Sequence, residues 1–204
     1  MIEITRDGGF WLVTINRPDK ANSLTPEMLE DLVKIAESAA EAKVFVLTGA
    51  GKVFSAGADL DAAKAGLAVS DDWERLSGAV AALPGLTIAA LNGTLAGGSF
   101  GMALACDLRI AVPGARFFYP VMKLGYLPQP SDPGRLAALV GPSRAKLILM
   151  GGARVSSDEA LAIGLVDRIV APESLMDKVR SLAADTLAAK PEIAKGIKRI
   201  CAGV

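Results

Sequence analysis

Residues 88–111 read IAALNGTLAGGSFGMALACDLRIA. An apolar run without alternation ends at Asn92-Gly93, a cluster of small residues follows, and a helix-patterned stretch leads into a second apolar run. Buried strand, turn, helix and buried strand is the order that a parallel sheet requires. Gly97-Gly98-Ser99-Phe100-Gly101 also fits G-x-S-x-G, the nucleophile elbow of serine hydrolases. Composition removes that reading, because the chain has no histidine to take the serine proton. A Ser-Lys pair lacks a lysine near Ser99 in sequence. What remains is a strand-to-helix turn of small residues, which exposes backbone N–H groups at a helix start.

The same signature occurs once more upstream. SAGADL at 55–60 is another small-residue turn behind a buried strand, KVFVLTG at 43–49. Two backbone donors aimed at one oxygen make an oxyanion hole, although close packing of elements alone also explains such glycines. TGAGK at 48–52 is not a phosphate loop, since Val53 stands where a Ser or Thr would hold magnesium. Around these turns, IEIT and FWLVTIN flank Asp7-Gly8-Gly9 as a hairpin. TPEMLEDLVKIAESAAEA at 25–42 predicts a helix with Thr25 as N-cap and Pro26 at its first position. A helix is expected from about Asp71 to Leu83, a loop over AGKVFSAGADLDAAKAG at 50–66, and helical stretches at about 133–150 and 157–163. APESLMDKVRSLAADTLAAK and PEIAKGIKRI predict two amphipathic helices at the end. Strands alternating with helices make the fold class α/β.

Composition narrows the partners. The 204 residues carry 22 basic and 22 acidic side chains, and half are apolar. A neutral chain without a basic stripe argues against nucleic acid. No apolar run reaches membrane-spanning length, and MIEITRDGGF lacks the apolar core of a signal peptide. Cys106 and Cys201 have no metal-ligand spacing and read as small buried hydrophobes in a reducing, cytoplasmic setting. Without histidine, no metal site is expected.

Taken together, these segments resemble the crotonase family, the enoyl-CoA hydratase/isomerase superfamily. NRPDKANSLTPEM at 16–28, LTGAGKVFSAGADL at 47–60, the opening stretch, FFYPVMKLGYLP followed by GRLAALVG, and ARVSSDEALAIGLVDRIV at 153–170 match family segments in order. The resemblance implies a crotonase-like β-β-α spiral with C-terminal helices. It covers a single domain at 1–204, with a core over about 1–172 and a helical segment over about 173–204 that is shorter than usual. It implies an acyl-CoA thioester as substrate, coenzyme A as part of that substrate with no permanently bound cofactor, and a homotrimer or dimer of trimers. The thioester carbonyl would be held by the backbone N–H groups of Ala58 and Gly98. Contacts to coenzyme A would fall on Ala56, Ala58, Asp59, Leu60, Asp61 and Gly98, with Lys20, Ala21 and Ser23 beside them. Asp59 also reads as a cap, and Lys195, Lys198 and Arg199 as C-terminal helix cations rather than phosphate ligands.

The family's acids are missing. Its two hydratase glutamates fall on Gly101 and Val121, and the later acid of some isomerases falls on Gln129. None of these exchanges a proton, so hydration by the two-glutamate route is not expected. Asp132 is the one carboxylate on the loop GYLPQPSDPGRL, beside Tyr126, Gln129 and Ser131. It is a candidate catalytic group, but Asp132-Pro133 more simply reads as an N-cap and a first-position proline. Tyr119 reads as core, with the acyl pocket as its alternative. The sequence therefore leaves two functions open. One is an acyl-CoA enzyme with an atypical acid/base set, acting by isomerisation, hydrolysis, decarboxylation or C–C cleavage. The other is a non-catalytic acyl-CoA binding protein.

Overall fold

The computed structural model describes residues 1–201 and 203; Ala202 and Val204, the end of the chain, lie outside the described residues. β1 (Ile2–Asp7) and β2 (Phe10–Ile15) form the expected hairpin across Gly8-Gly9, and α1 (Pro26–Ser38) follows. Thr25 caps α1 by accepting from the Met28 N–H, with Pro26 at the first position. Next come β3 (Val44–Gly49), β4 (Val53–Ser55), α2 (Leu60–Lys64) and α3 (Asp72–Ala82). The pattern repeats as β5 (Leu86–Leu91), β6 (Thr94–Ala96) and α4 (Phe100–Leu104), and again as β7 (Leu108–Ala111), β8 (Arg116–Phe118) and α5 (Val121–Leu124). α6 (Asp132–Val140), α7 (Pro142–Leu149), β9 (Val155–Ser156), α8 (Ser157–Ala162), β10 (Arg168–Ile169), α9 (Leu175–Ala188) and α10 (Pro191–Cys201) complete the order.

Each repeat places a long strand in one sheet and a short strand in another before its helix. The first sheet runs β1-β2-β3-β5-β7-β10 and is parallel apart from the hairpin. The second runs β4-β6-β8-β9, with only β8 and β9 antiparallel. β3 is buried at every position and β5 at all but its first, which is why both read as continuous apolar runs rather than alternating ones. Phe45, Phe54, Phe100 and Phe117 are fully buried between the layers. Each contributes about 1.5–3 kcal/mol by leaving water.

Apart from β8, the second sheet is the part that sequence reading missed. Its strands are two or three residues long, too short to show a period; β8 falls in ARFFYP at 115–120, which reads as a strand, while β4 and β6 fall in stretches that read as loop or turn. The expected loop at 50–66 holds β4 and α2. The expected helix at 133–150 is two helices, because Gly141 lies outside helical dihedrals (φ 82°, ψ 156°) and starts α7 ahead of Pro142. Cys106 is buried as expected, whereas Cys201 is exposed. Lys198 donates to the Gly85 carbonyl at 3.0 Å and the Asp107 carboxylate at 2.8 Å, tying α10 to the sheet. Among the described residues no helix is long and apolar enough to cross a membrane.

One side chain holds the β3–β4 turn against the chain before α1. Asn22 is fully buried with φ 54°, a left-handed conformation that asparagine tolerates well. Its Nδ2 donates to the Ala50 and Val53 carbonyls at 2.8 and 2.7 Å, and its Oδ1 accepts from the Arg17 N–H at 2.8 Å. Asn22→Ala strands the Arg17 N–H and the Ala50 carbonyl, while the Val53 carbonyl keeps the Asn92 amide at 3.2 Å. Each such group costs about 1–3 kcal/mol, so urea unfolding should show a loss of unfolding free energy of about 2 kcal/mol or more. A shift under about 0.5 kcal/mol, the usual size for surface changes, contradicts this account.

Candidate active site

The first turn leaves β4 at Ser55. The Ser55 hydroxyl donates to the Asn22 carbonyl at 2.8 Å and accepts from the Gly57 N–H at 3.2 Å. A ladder then joins this turn to the segment before α1: Ala56 N–H to Ala21 carbonyl at 3.0 Å, Leu24 N–H to Gly57 carbonyl and Asp59 N–H to Leu24 carbonyl, both at 2.8 Å. The stretches 20–24 and 56–61, far apart in sequence, thus lie side by side. Asp59 does two things at once. Its Oδ1 accepts from the Asp61 and Ala62 N–H groups and caps α2, while its Oδ2 accepts from Arg17 at 2.8 Å. The Arg17 guanidinium, and next the Ala62 N–H, hold the Asp59 carboxyl below the usual carboxylate range. Ser23 is engaged by the same guanidinium through its hydroxyl and its carbonyl. Lys20, Leu60 and Asp61 are exposed, and Asp61 pairs with Lys64 at 3.2 Å.

The second turn leaves β6 at Ala96 and passes through a 3-10 turn, Gly97–Ser99, into α4. Ser99 is fully buried. Its hydroxyl donates to the Ala96 carbonyl at 2.6 Å and lies 3.2 Å from the Ser55 carbonyl, so it is a pin between the two turns and not a nucleophile. The turns touch. A Cβ on Gly57 would stand 2.9 Å from the Ala96 carbonyl and 3.2 Å from the Gly98 nitrogen, and Gly57 has φ 89°. Only glycine satisfies both constraints. Among the described residues neither the Ala58 nor the Gly98 N–H is donated to any backbone acceptor.

Both residues border one cavity of about 200 Å³. Its other walls are apolar or aromatic, including Trp73, Tyr119, Tyr126 and Leu127. Trp73 was not singled out by sequence. Its ring lies flat against Gly98, where an added Cβ would approach it to 3.0 Å, and its indole N–H donates to the Leu67 carbonyl at 2.7 Å. A larger hollow, about 400 Å³, lies between α9, α10 and the starts of β5 and β7, near Gly85 and Lys198. It contains neither glycine turn, so the smaller cavity is the candidate site.

The structure places no acid at Gly101, Val121 or Gln129 but brings a carboxylate to the first of them from another helix. Asp132 is completely buried. The cap reading of Asp132 fails: Ser131 is the residue that precedes α6, Asp132 is already inside it, and no side chain caps this helix. Glu74 instead accepts from both the N–H and the hydroxyl of Ser131, anchoring the start of α6 to α3. Asp132 Oδ2 accepts from the Tyr119 hydroxyl at 3.0 Å. Its Oδ1 has no hydrogen-bond partner among the described residues. A Cβ on Gly101 would lie 2.7 Å from that oxygen, so the carboxylate occupies the volume where a side chain at 101 would begin. Burial pushes the Asp132 carboxyl up to about 6, opposed by the Tyr119 hydrogen bond and Arg135 and reinforced by Glu74. Burial, and next Asp132 itself, raise the Tyr119 phenol well above its ordinary value.

Two stacked sheets wound by repeated β-β-α units, with paired small-residue turns at an apolar cavity, define the crotonase fold. The family model for enoyl-CoA hydratase/isomerase matches residues 5–202. YngF of Bacillus subtilis, from the same hydratase/isomerase group by name, is 40% identical over 185 residues, covering 85% of this chain and 70% of YngF. Carnitinyl-CoA dehydratase of Salmonella enteritidis is 36% identical over 210 residues, 98% of this chain and 79% of the dehydratase. A crystal structure of enoyl-CoA hydratase from Bacillus anthracis superposes with a TM-score of 0.89 at 31% identity, covering 98% of this chain and 82% of the other. The chain belongs to the enoyl-CoA hydratase/isomerase family.

The position of Asp132 has a consequence for stability. Its folded pKa lies above the unfolded value near 4, so the native state holds the proton more tightly. The corresponding stability is fully present below about pH 4 and is lost as pH rises through about 6. Scanning calorimetry of wild type and Asp132→Asn between pH 4 and 8 should show wild type losing ground across that window, by on the order of 3 kcal/mol. A difference independent of pH contradicts the burial of an ionisable carboxyl.

Proposed function

We propose that this protein binds acyl-CoA thioesters and stabilises the enolate or oxyanion that forms on the thioester oxygen with the backbone N–H groups of Ala58 and Gly98. The observation that carries the reading is the contact of two turns whose N–H groups make no internal backbone bond and border the same apolar cavity. Backbone donors held rigidly by the surrounding ladder favour the charged oxygen over the neutral carbonyl, because charge there is larger and no reorganisation is needed. Family membership and the CoA thioesters in the names of similar proteins support the substrate class.

The coenzyme A moiety is assigned to the paired stretches Lys20, Ala21, Ser23 and Ala56 to Asp61, with the Arg17–Asp59 ion pair holding them in register. No cofactor beyond coenzyme A enters this reading. We infer assembly as a trimer or a dimer of trimers in the cytoplasm, which the exposed apolar side chains Met122, Leu127, Met150 and Ile197 support. A non-catalytic acyl-CoA binding protein is the second reading, favoured by the side chains at 101, 121 and 129, none of which is an acid.

Calorimetric titration should give tighter binding of butyryl-CoA than of free coenzyme A. Crotonyl-CoA hydration, followed by loss of the conjugated absorbance, should stay near background. Each general acid or base contributes about 10²–10⁴ in rate, and two are lost. Absence of acyl-CoA binding overturns the reading, and turnover at the level of ordinary hydratases overturns the claim about hydration.

A further inference from the structure

The geometry points to Tyr119 and Asp132 as the proton-transfer pair of this site, with Tyr119 facing the acyl cavity and Asp132 taking and returning its proton from behind. This inference rests on the acyl-thioester reading above and assigns the group that the empty positions at 101, 121 and 129 leave unassigned.

Three observations converge on the pair. First, Tyr119 lines the cavity, and its ring is stacked on Phe100 with centroids 5.5 Å apart, so its hydroxyl is held on Asp132. Second, Asp132 and Gly101 are mutually dependent. Gly101 lies one helical turn beyond Gly98, on the same face of its segment, and any side chain there would meet the Asp132 carboxylate at 2.7–3.3 Å. A carboxyl delivered from α6 has taken the space that a side chain from α4 would fill. Third, Asp132 is fully buried with an oxygen that finds no partner among the described residues. Such a group costs about 1–3 kcal/mol or more and contributes nothing to capping α6. Buried, half-satisfied carboxyls of this kind cluster at functional sites.

The charged and titratable neighbours of Asp132 are Glu74 from α3, Arg135 on its own helix and the Tyr119 phenol; α4, Phe100–Leu104, carries no titratable side chain. Glu74 is engaged by Ser131, and Arg135 donates to the Ser77 hydroxyl at 2.8 Å. Asp132 is therefore the free proton acceptor of the group, and its carboxyl near 6 populates both forms around neutrality.

The reaction that such a pair performs is migration of a proton along an unsaturated acyl group. The Tyr119 oxygen takes a proton from the carbon next to the thioester carbonyl, as Asp132 takes the phenolic proton. The C–H electron pair becomes a C=C bond, and the charge moves to the thioester oxygen beside Ala58 and Gly98. Tyr119 then gives a proton to the γ carbon and recovers its own from Asp132, and the double bond moves into conjugation. No atom is gained or lost, and no water is added. Tyr119 is the catalytic residue here, and Asp132 acts through it.

The test uses 3-butenoyl-CoA with the full chain, following the gain of conjugated absorbance and the affinity by calorimetry. Wild type should isomerise it, with kcat/KM rising through about pH 6, where the Asp132 carboxyl ionises. Asp132→Asn and Tyr119→Phe should each lower kcat at least about 100-fold, with Kd changed less than about threefold, roughly 0.7 kcal/mol. Asp132→Asn should also abolish the inflection near pH 6, which a merely structural role would leave in place. Tyr119→Phe keeps the test decisive should an Asp132 variant fail to fold. Wild-type binding without isomerisation, or an Asp132→Asn variant with unchanged kcat and pH profile, overturns the pair and leaves the acyl-thioester reading standing. Absence of binding by wild type removes that reading instead.

Discussion

Backbone meets backbone where Gly57 rests on Gly97 and Gly98, with no space between them for even a methyl group. The rest of the structure is arranged to make that contact possible. β4 and β6 must be neighbours in the second sheet, so that each ends beside the other and releases its turn on the same side. β3 and β5 must be neighbours in the first sheet, so that the chain arrives at β4 and β6 in register. Ser99 then closes the joint by bonding to carbonyls on both sides of it, at Ala96 and Ser55. The result is a pair of fixed dipoles at the edge of an apolar cavity, where electrostatic interactions are stronger than in water.

A second constraint shapes the chemistry around that joint. Space beside α4 is limited, and a carboxylate fills the volume where a side chain on Gly101 would begin. In this chain it comes from α6, whose start is anchored by Glu74 rather than by Asp132 itself. That division of labour leaves the Asp132 carboxylate with a single hydrogen bond among the described residues, from Tyr119, and a pKa set mainly by burial. The first residue of α6 thus supplies a titratable group poised near neutrality at the site.

Much of the architecture was legible in the linear chain. The long buried strands β3, β5 and β7 announce themselves as continuous apolar runs, and α1 by its Thr25-Pro26 start and apolar stripe. Apart from β8, the short strands of the second sheet did not, since two or three residues carry no period and their partners lie about 20 to 40 residues away. Trp73 and Arg17 were equally silent. An aromatic inside an amphipathic helix and an arginine before a proline have many bland explanations, and their contacts with Gly98 and Asp59 are entirely non-local.

Asp132 separates the two kinds of information most clearly. Sequence alone determined that the chain has no histidine, that the turns at 55–60 and 95–101 are built of residues small enough to expose their backbone, and that the three usual acid positions are empty. These are properties of residue identity and order, and folding does not alter them. Whether Asp132 caps a helix or faces Gly101 depends on where Ser131, Glu74 and Tyr119 end up around it. Those residues come from α3, α6 and the segment after β8, and their spacing along the chain does not encode the distances between them. Tertiary structure decided that a carboxylate lies against Gly101, where the sequence itself carries none.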